Sequence, residues 1–201
     1  ALKIKEMKLP FWKRWLSYLT EIPLEKASTV LNPSLDLSLR NGRFYLTTPN
    51  AVYSYGDRYK NFLNTFRKID LGEQQNFDVL LLGFGLGSVP YMLEKVFGKK
   101  YRYLGVEADS VVAFWAKKYL LPELASPVEL HEGDAFEFVA NCEKQFDLIV
   151  MDVFLDDQVP EQFEREVFLQ NLKKCLKTNG LLIYNRLTDT PELEQRASDF
   201  F

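Results

Sequence analysis

The stretch that most restricts what this chain can fold into is Phe77–Pro90, FDVLLLGFGLGSVP. An apolar run of strand length stops abruptly at three glycines on alternate positions, Gly83, Gly85 and Gly87. A helical pattern, Tyr91–Phe97, follows. Strand, glycine turn and helix form the unit with which α/β proteins lay backbone against a small ligand. Glycine opens φ values closed to other residues and leaves no Cβ in the way, while the start of the helix offers unpaired N–H groups. The dinucleotide form of this turn needs a glycine at position 88, where this chain has Ser88. The turn therefore predicts a smaller nucleoside ligand.

Downstream, apolar strands at 77–82, 101–106, 128–131, 146–152 and 181–185 alternate with helical patterns at about 88–97, 109–120, 134–142 and 160–176. This alternation predicts a Rossmann-like α/β three-layer sandwich, with a mostly parallel sheet covered on both faces and right-handed crossovers. The last strands usual in that fold are not apparent by residue 201, and the chain opens on Ala1. A shortened or processed chain is expected.

Upstream the period changes. Leu35–Leu39 alternates apolar and polar, Phe44–Thr48 and Ala51–Tyr55 follow, and Asn41-Gly42 between the first two is a strong hairpin signal. Residues 57–68 read as a helix with Tyr59, Phe62, Leu63 and Phe66 on one face. Phe11, Trp15, Tyr18 and Leu19 share a face of a short helix expected to cover an edge of the core. The predicted organisation is thus an N-terminal helix with a small antiparallel β unit over 1–70, then the nucleoside-binding core over 71–201.

The candidate chemistry lies at the strand ends, where an open α/β sheet binds its ligands. Glu107 ends the second strand, 20 residues after Gly87, and a carboxylate there can accept from both ribose hydroxyls. Its neighbour Asp109 suits a helix N-cap. Asp134, in Gly133-Asp134-Ala135, can accept from an exocyclic amine of adenine or cap the helix it precedes. Asp152 ends the fourth strand, placed to orient or deprotonate a nucleophile, with Asp156 and Asp157 just beyond. His131 reads as a strand residue.

A net charge of −3 gives no basic field for nucleic acid or an anionic membrane. No apolar run approaches transmembrane length, and a single histidine cannot build a histidine-based metal site, so neither membrane nor metal is expected. Cys142 and Cys175 are far apart, outside any C-x-x-C pair, and read as reduced core thiols. A cytoplasmic location is expected from them.

Taken in order, these residues resemble the class I S-adenosylmethionine-dependent methyltransferase fold over about residues 75–186. The resemblance implies a cofactor-contacting set of Gly83, Phe84, Gly85, Leu86, Gly87, Glu107, Ala108, Asp134 and Ala135. Within that fold the chain is most similar to spermidine synthases and their relatives, through Asp147–Asp152, Pro160 with Phe168–Leu176, Asn179–Asn185 and Tyr55–Tyr59. By this resemblance Asp152 takes the place of the catalytic aspartate. Tyr59, with Asp156, takes the substrate side.

Three positions depart from the aminopropyl-transferring pattern. Leu86 replaces the aspartate in the glycine motif, Asn61 replaces a glutamate after Tyr59, and the second acid of the loop after Asp152 is displaced by one residue to Asp156. The resulting expectation is an S-adenosylmethionine-binding transferase, foremost a methyltransferase of the spermidine-synthase-like branch acting on a small molecule. An aminopropyltransferase using the decarboxylated donor is the alternative, and a non-catalytic nucleoside-binding homologue the third reading. Family resemblance also implies a possible homodimer.

Overall fold

The computed structural model describes residues 9–73, 75–155 and 158–186, together with 195 and 198. The N-terminal part forms an antiparallel sheet of β1 (Ile22–Ala27), β2 (Leu35–Arg40), β3 (Arg43–Thr47) and β4 (Val52–Ser54), in sequence order. Alternation in β2 and β3 turns Leu35, Leu37, Leu39, Phe44 and Leu46 into the core. The β2–β3 hairpin turns at Asn41 and Gly42, whose φ values of +50° and +73° give the doubly left-handed turn that matches strand twist.

β1 was not legible in the sequence. Pro23 lacks a ladder donor, and the register shifts between Pro23 and Glu25. Both are tolerated because β1 is an edge strand. The helix α1 (Phe11–Leu16) forms, but its expected burial does not. Phe11, Trp15, Tyr18 and Leu19 are 57–83% exposed, and no residue of α1 is buried. The segment is held by polar contacts instead, with Arg14 on Gly42 O and Glu123, and the Ser17 hydroxyl accepting from Gly42 N.

The second sheet contains β5 (Asp78–Leu82), β6 (Arg102–Glu107), β7 (Val128–Glu132), β8 (Phe146–Met151) and β9 (Leu176–Tyr184). It is parallel throughout, in the order β7-β6-β5-β8-β9. The chain leaves β5 toward β6 and later returns to its other side as β8. The order therefore reverses at β5, which places the crevice above its carboxyl end. Both faces of β5 are buried, as its unbroken apolar run requires. Val79 and Leu81 join the leucines of the antiparallel sheet in one core, while Leu80 and Leu82 pack with Ile149, Phe168 and Leu172 in the other.

The helices are α2 (Lys60–Lys68), α3 (Ser88–Lys95), α4 (Ser110–Trp115), α5 (Ala135–Asn141) and α6 (Glu166–Lys174). Several are shorter than their periodicity predicts. After α4 the chain continues as a π-helical turn, Ala116–Leu120, and a 3-10 turn. Before α6, Arg165 is extended, which separates a 3-10 turn at Glu161–Glu164 from the helix. β9 starts five residues earlier than its apolar run, and its register jumps between Phe146↔Leu176 and Leu148↔Leu181, near the left-handed Asn179. Cys142 and Cys175 are free thiols, and burial pushes the Cys175 thiol up to about 12. No helix among the described residues is long and apolar enough to cross a membrane.

Candidate active site

The carboxyl ends of the parallel strands open on a cavity of about 700 Å³. Its floor is the glycine turn. Gly83 has φ +79°, and a Cβ there would sit 2.2 Å from the carbonyl oxygen of Asp152. Only glycine lets the turn after β5 pass so close to the end of β8. The N–H groups of Gly83 and Phe84 both donate to Val106 O at 3.0 Å, which ties the turn to β6.

Glu107 lines the cavity at the end of β6. Its carboxyl accepts from Gly85 N at 2.8 Å and Asp109 N at 3.0 Å. A carboxylate has about four lone-pair sites, so about two remain for a ligand. Burial pushes the Glu107 carboxyl above its usual range, opposed by those two backbone donors. Ala108 and Ala135 also line the wall.

Asp109 is occupied by the protein. It caps α4 through Val111 N and Val112 N, and it accepts from Thr29 Oγ1 at 2.5 Å and Asn32 Nδ2 at 2.8 Å. The Tyr53 hydroxyl in turn donates to Asn32 Oδ1 at 2.9 Å. Through this chain the antiparallel sheet reaches the cavity, where Leu31, Asn32, Val52 and Tyr53 form part of the wall. Asp134 faces the cavity too, but one of its oxygens caps α5 through Phe136 N and Glu137 N. Both sequence readings of Asp134 are thus geometrically open.

Asp152 follows the carboxyl end of β8 and lines the cavity. Its Oδ1 accepts from Asn185 Nδ2 at 2.8 Å and from the Tyr59 hydroxyl at 3.5 Å. Tyr59 points there because it sits at the break between a 3-10 turn, Gly56–Arg58, and α2, with ψ 88°. Asp152 retains contact with the cavity but is otherwise enclosed by protein, and burial pushes its carboxyl up to about 8. The Asn185 and Tyr59 donors oppose that rise, and the Glu107 charge adds to it. Burial first, then the Asp152 charge, drives the Tyr59 phenol upward, so it remains a donor.

Ser88, where a dinucleotide turn would have glycine, has a structural part. Its hydroxyl accepts from Tyr55 N and Gly56 N at 3.0 Å each and bonds to the Ser54 hydroxyl at 2.6 Å. It therefore anchors the segment that presents Tyr59. Three members of the expected contact set are not brought to the cavity wall. Phe84 and Leu86 are 4% and 1% exposed, with their side chains in the core. Gly87 lies under the Phe84 ring, which leaves no room there for a Cβ. The even positions of the turn point inward because the odd ones carry the left-handed φ values. Asp156 lies outside the described residues.

Asn185, Asn32 and Tyr53 were not among the residues singled out from sequence. Asn185 had a usable signal, as it ends β9 beside the end of β8. Among the described residues that line the cavity, the acidic ones are Glu107, Asp109, Asp134 and Asp152, and none is a lysine, arginine or histidine. No group of three or more His, Cys, Asp or Glu side chains among the described residues is arranged to hold a metal ion.

Comparison with known proteins adds to this geometry. A family model described as "Spermine/spermidine synthase domain" matches residues 70–200. A curated "Polyamine aminopropyltransferase" of Vibrio vulnificus is 26% identical over 125 residues, covering 61% of this chain and 42% of that protein. This chain spans less than half the length of the curated relatives it matches. The structure of a spermidine synthase from Thermotoga maritima superposes with TM-score 0.62 at 15% identity, over 90% of this chain and 64% of that one. Human methyltransferase-like protein 13, solved in complex with SAH, superposes with TM-score 0.52 at 23% identity, over 62% and 61% of the two chains. At these identities the structural likenesses speak for the fold.

Proposed function

The chain belongs to the spermine/spermidine synthase domain family, and from that premise we propose that it transfers an aminopropyl group from decarboxylated S-adenosylmethionine to a small amine. The observation that carries this reading is the residue composition of the cavity wall. Its described residues include four acids and no basic side chain. A sulfonium donor without a carboxylate suits such a wall. S-adenosylmethionine itself would bring its carboxylate into an acidic cavity with no cation among the described residues to receive it.

Leu86 carries less weight than its sequence position implied. The aspartate missing there would meet a donor's amino group, and both donors possess one. Its absence therefore does not favour the methyl donor, and Leu86 adds no apolar surface to the cavity wall. The names of the curated relatives support the same order, with aminopropyl transfer ahead of methyl transfer.

In this reading Glu107 takes the ribose hydroxyls with its unused lone pairs, Asp134 and Ala135 flank the adenine, and Gly83 and Gly85 bring backbone against the nucleoside. The amine approaches past Tyr59. Asp152, at about 8, stands near the pH at which a carboxylate can both take a proton from an ammonium and release it afterwards. Approach of the cationic donor favours its charged form. Tyr59 and Asn185 fix the orientation of the carboxyl by donating to Oδ1. The nitrogen lone pair attacks the carbon next to sulfur, a C–N bond forms, and the C–S pair leaves on sulfur as a neutral thioether. Positioning and charge placement are the protein's contribution.

Calorimetry tests the assignment. The decarboxylated donor should bind at least tenfold more tightly than S-adenosylmethionine. Equal or tighter binding of S-adenosylmethionine would return methyl transfer to first place. No binding of either donor, or of 5′-methylthioadenosine, would leave a non-catalytic homologue.

A further inference from the structure

The two cysteines stand 33 positions apart in the chain, and the fold brings them together. Cys142 follows the last residue of α5, and Cys175 the last residue of α6. Each closes a helix just before a strand of the parallel sheet starts, β8 at Phe146 and β9 at Leu176. The Cys175 Sγ lies 3.7 Å from Cys142 O and 3.9 Å from Val139 O. Cys142 packs against the apolar cluster that contains Cys175, Val139, Phe146 and Leu172. Backbone and side chain tie the junction on either side of the pair: Phe146 N donates to Cys175 O at 2.8 Å, and Gln145 Nε2 donates to Lys174 O at 3.2 Å. Exposure divides the two thiols. Cys175 is 1% exposed, whereas Cys142 is half-buried and its thiol donates to Lys144 O at 3.7 Å.

We propose that Cys142 and Cys175 form a reversible intramolecular disulfide when the protein meets hydrogen peroxide, fastening the end of α5 to the end of α6. Cys142 reacts first, because its thiolate can reach the oxidant. Burial pushes the Cys175 thiol up to about 12, which rules it out as the first nucleophile. The Cys142 thiolate attacks one peroxide oxygen, the O–O bond breaks, and a sulfenic acid forms as hydroxide leaves. The proton lost by Cys142 turns that hydroxide into water. The Cys175 sulfur then attacks the Cys142 sulfur. An S–S bond forms, the S–O bond breaks, and the Cys175 proton leaves with the hydroxide as a second water. Each sulfur gives up one electron and the peroxide takes both. The second step is intramolecular between packed neighbours, which offsets the low acidity of Cys175. The pair sits at the amino ends of β8 and β9, whereas the cavity lies at the carboxyl ends. The bridge therefore restrains the unfolded chain and leaves the glycine turn as it is.

The experiment treats the full chain with hydrogen peroxide, unfolds it, alkylates the remaining thiols and maps the peptides by mass spectrometry without reductant. The expected result is one cross-linked pair, Cys142 with Cys175, and recovery of both thiols with dithiothreitol. The oxidised protein should melt about 5–10 °C above the reduced one. In hydrogen exchange, the amides in the last turns of α5 and α6 should slow, while those of Gly83–Gly87 change by less than twofold. Cys142→Ser, at a half-buried position, should keep Cys175 as a free thiol after the same treatment and show no gain in Tm. Over-oxidation of Cys142 with Cys175 still alkylated would overturn the proposal, as would a disulfide between two copies of the chain. So would an oxidised form that melts no higher than the reduced one, an equal Tm gain in Cys142→Ser, or a larger change in exchange at the glycine turn.

Discussion

Replacing Asp152 by Asn should make the ligand-free protein less sensitive to alkali. In the fold this carboxyl titrates at about 8, against 3.8 for an ordinary aspartate. A native pKa above the unfolded one means that the native state keeps the proton to higher pH. The contribution to stability is complete below about pH 4 and is lost as the pH rises through 8. A gap of about four pH units, at about 1.4 kcal/mol each, sets a ceiling of about 6 kcal/mol. Asn185 and cavity water solvate the charged form, so a loss of about 2–4 kcal/mol between pH 5 and 9 is expected. For a chain of this size that lowers Tm by about 6–12 °C. Glu25, Asp57, Asp78 and Glu94, whose partners hold them below the usual range, have finished titrating by about pH 5. The window therefore reports on the carboxyls displaced upward. In Asp152→Asn the amide oxygen still accepts from Asn185 and Tyr59 but carries no charge. Circular dichroism melts at pH 5, 7 and 9 should show less than half the parent's decline, the remainder coming from Glu107. Parallel curves for parent and variant would refute the assignment of a raised pKa to Asp152.

Other substitutions follow from the same contacts. Glu107→Ala leaves the Gly85 and Asp109 N–H groups and the ribose hydroxyls without their acceptor, so donor affinity in calorimetry should fall more than tenfold. Gly83→Ala should destabilise by about 2 kcal/mol or more in urea unfolding, since its Cβ meets the Asp152 carbonyl at 2.2 Å and its φ is +79°. Ser88→Ala strands two backbone donors and should cost about 1–3 kcal/mol by the same measurement. Because it loosens the segment that presents Tyr59, it should also lower kcat more than it raises KM.

Much of the architecture was legible because its signals are local. The apolar run of β5, the alternate glycines and the acids closing β6 and β8 each lie within one short segment. The sheet order then brings them together without further information. The parts that were not legible depend on distant partners. Ser88 is an ordinary serine until Tyr55 and Gly56 are placed over it. Asn32 matters only because Asp109 lies across from it, 77 positions later. The aromatics of α1 share a helical face, yet no core surface meets them. Periodicity reports which side of a helix is apolar, and says nothing of whether the fold supplies a surface opposite. Leu86 shows the same limit at the site itself. A motif position predicts contact with the donor, but left-handed backbone at Gly85 and Gly87 turns its side chain into the core.

The junction made by Thr29, Asn32 and Tyr53 with Asp109 has a dynamic consequence. The cavity has one wall from each sheet, and these hydrogen bonds join the walls at the cavity while a shared hydrophobic core joins the sheets beneath it. A ligand that spans them adds its binding free energy to the closed arrangement and nothing to an arrangement in which the sheets part. Donor and inter-sheet contact therefore strengthen one another, by an amount that grows with the logarithm of ligand concentration. Amide protons of β4 and of the loop carrying Asn32 should thus exchange with solvent more slowly when the nucleoside is present, including those that never touch it.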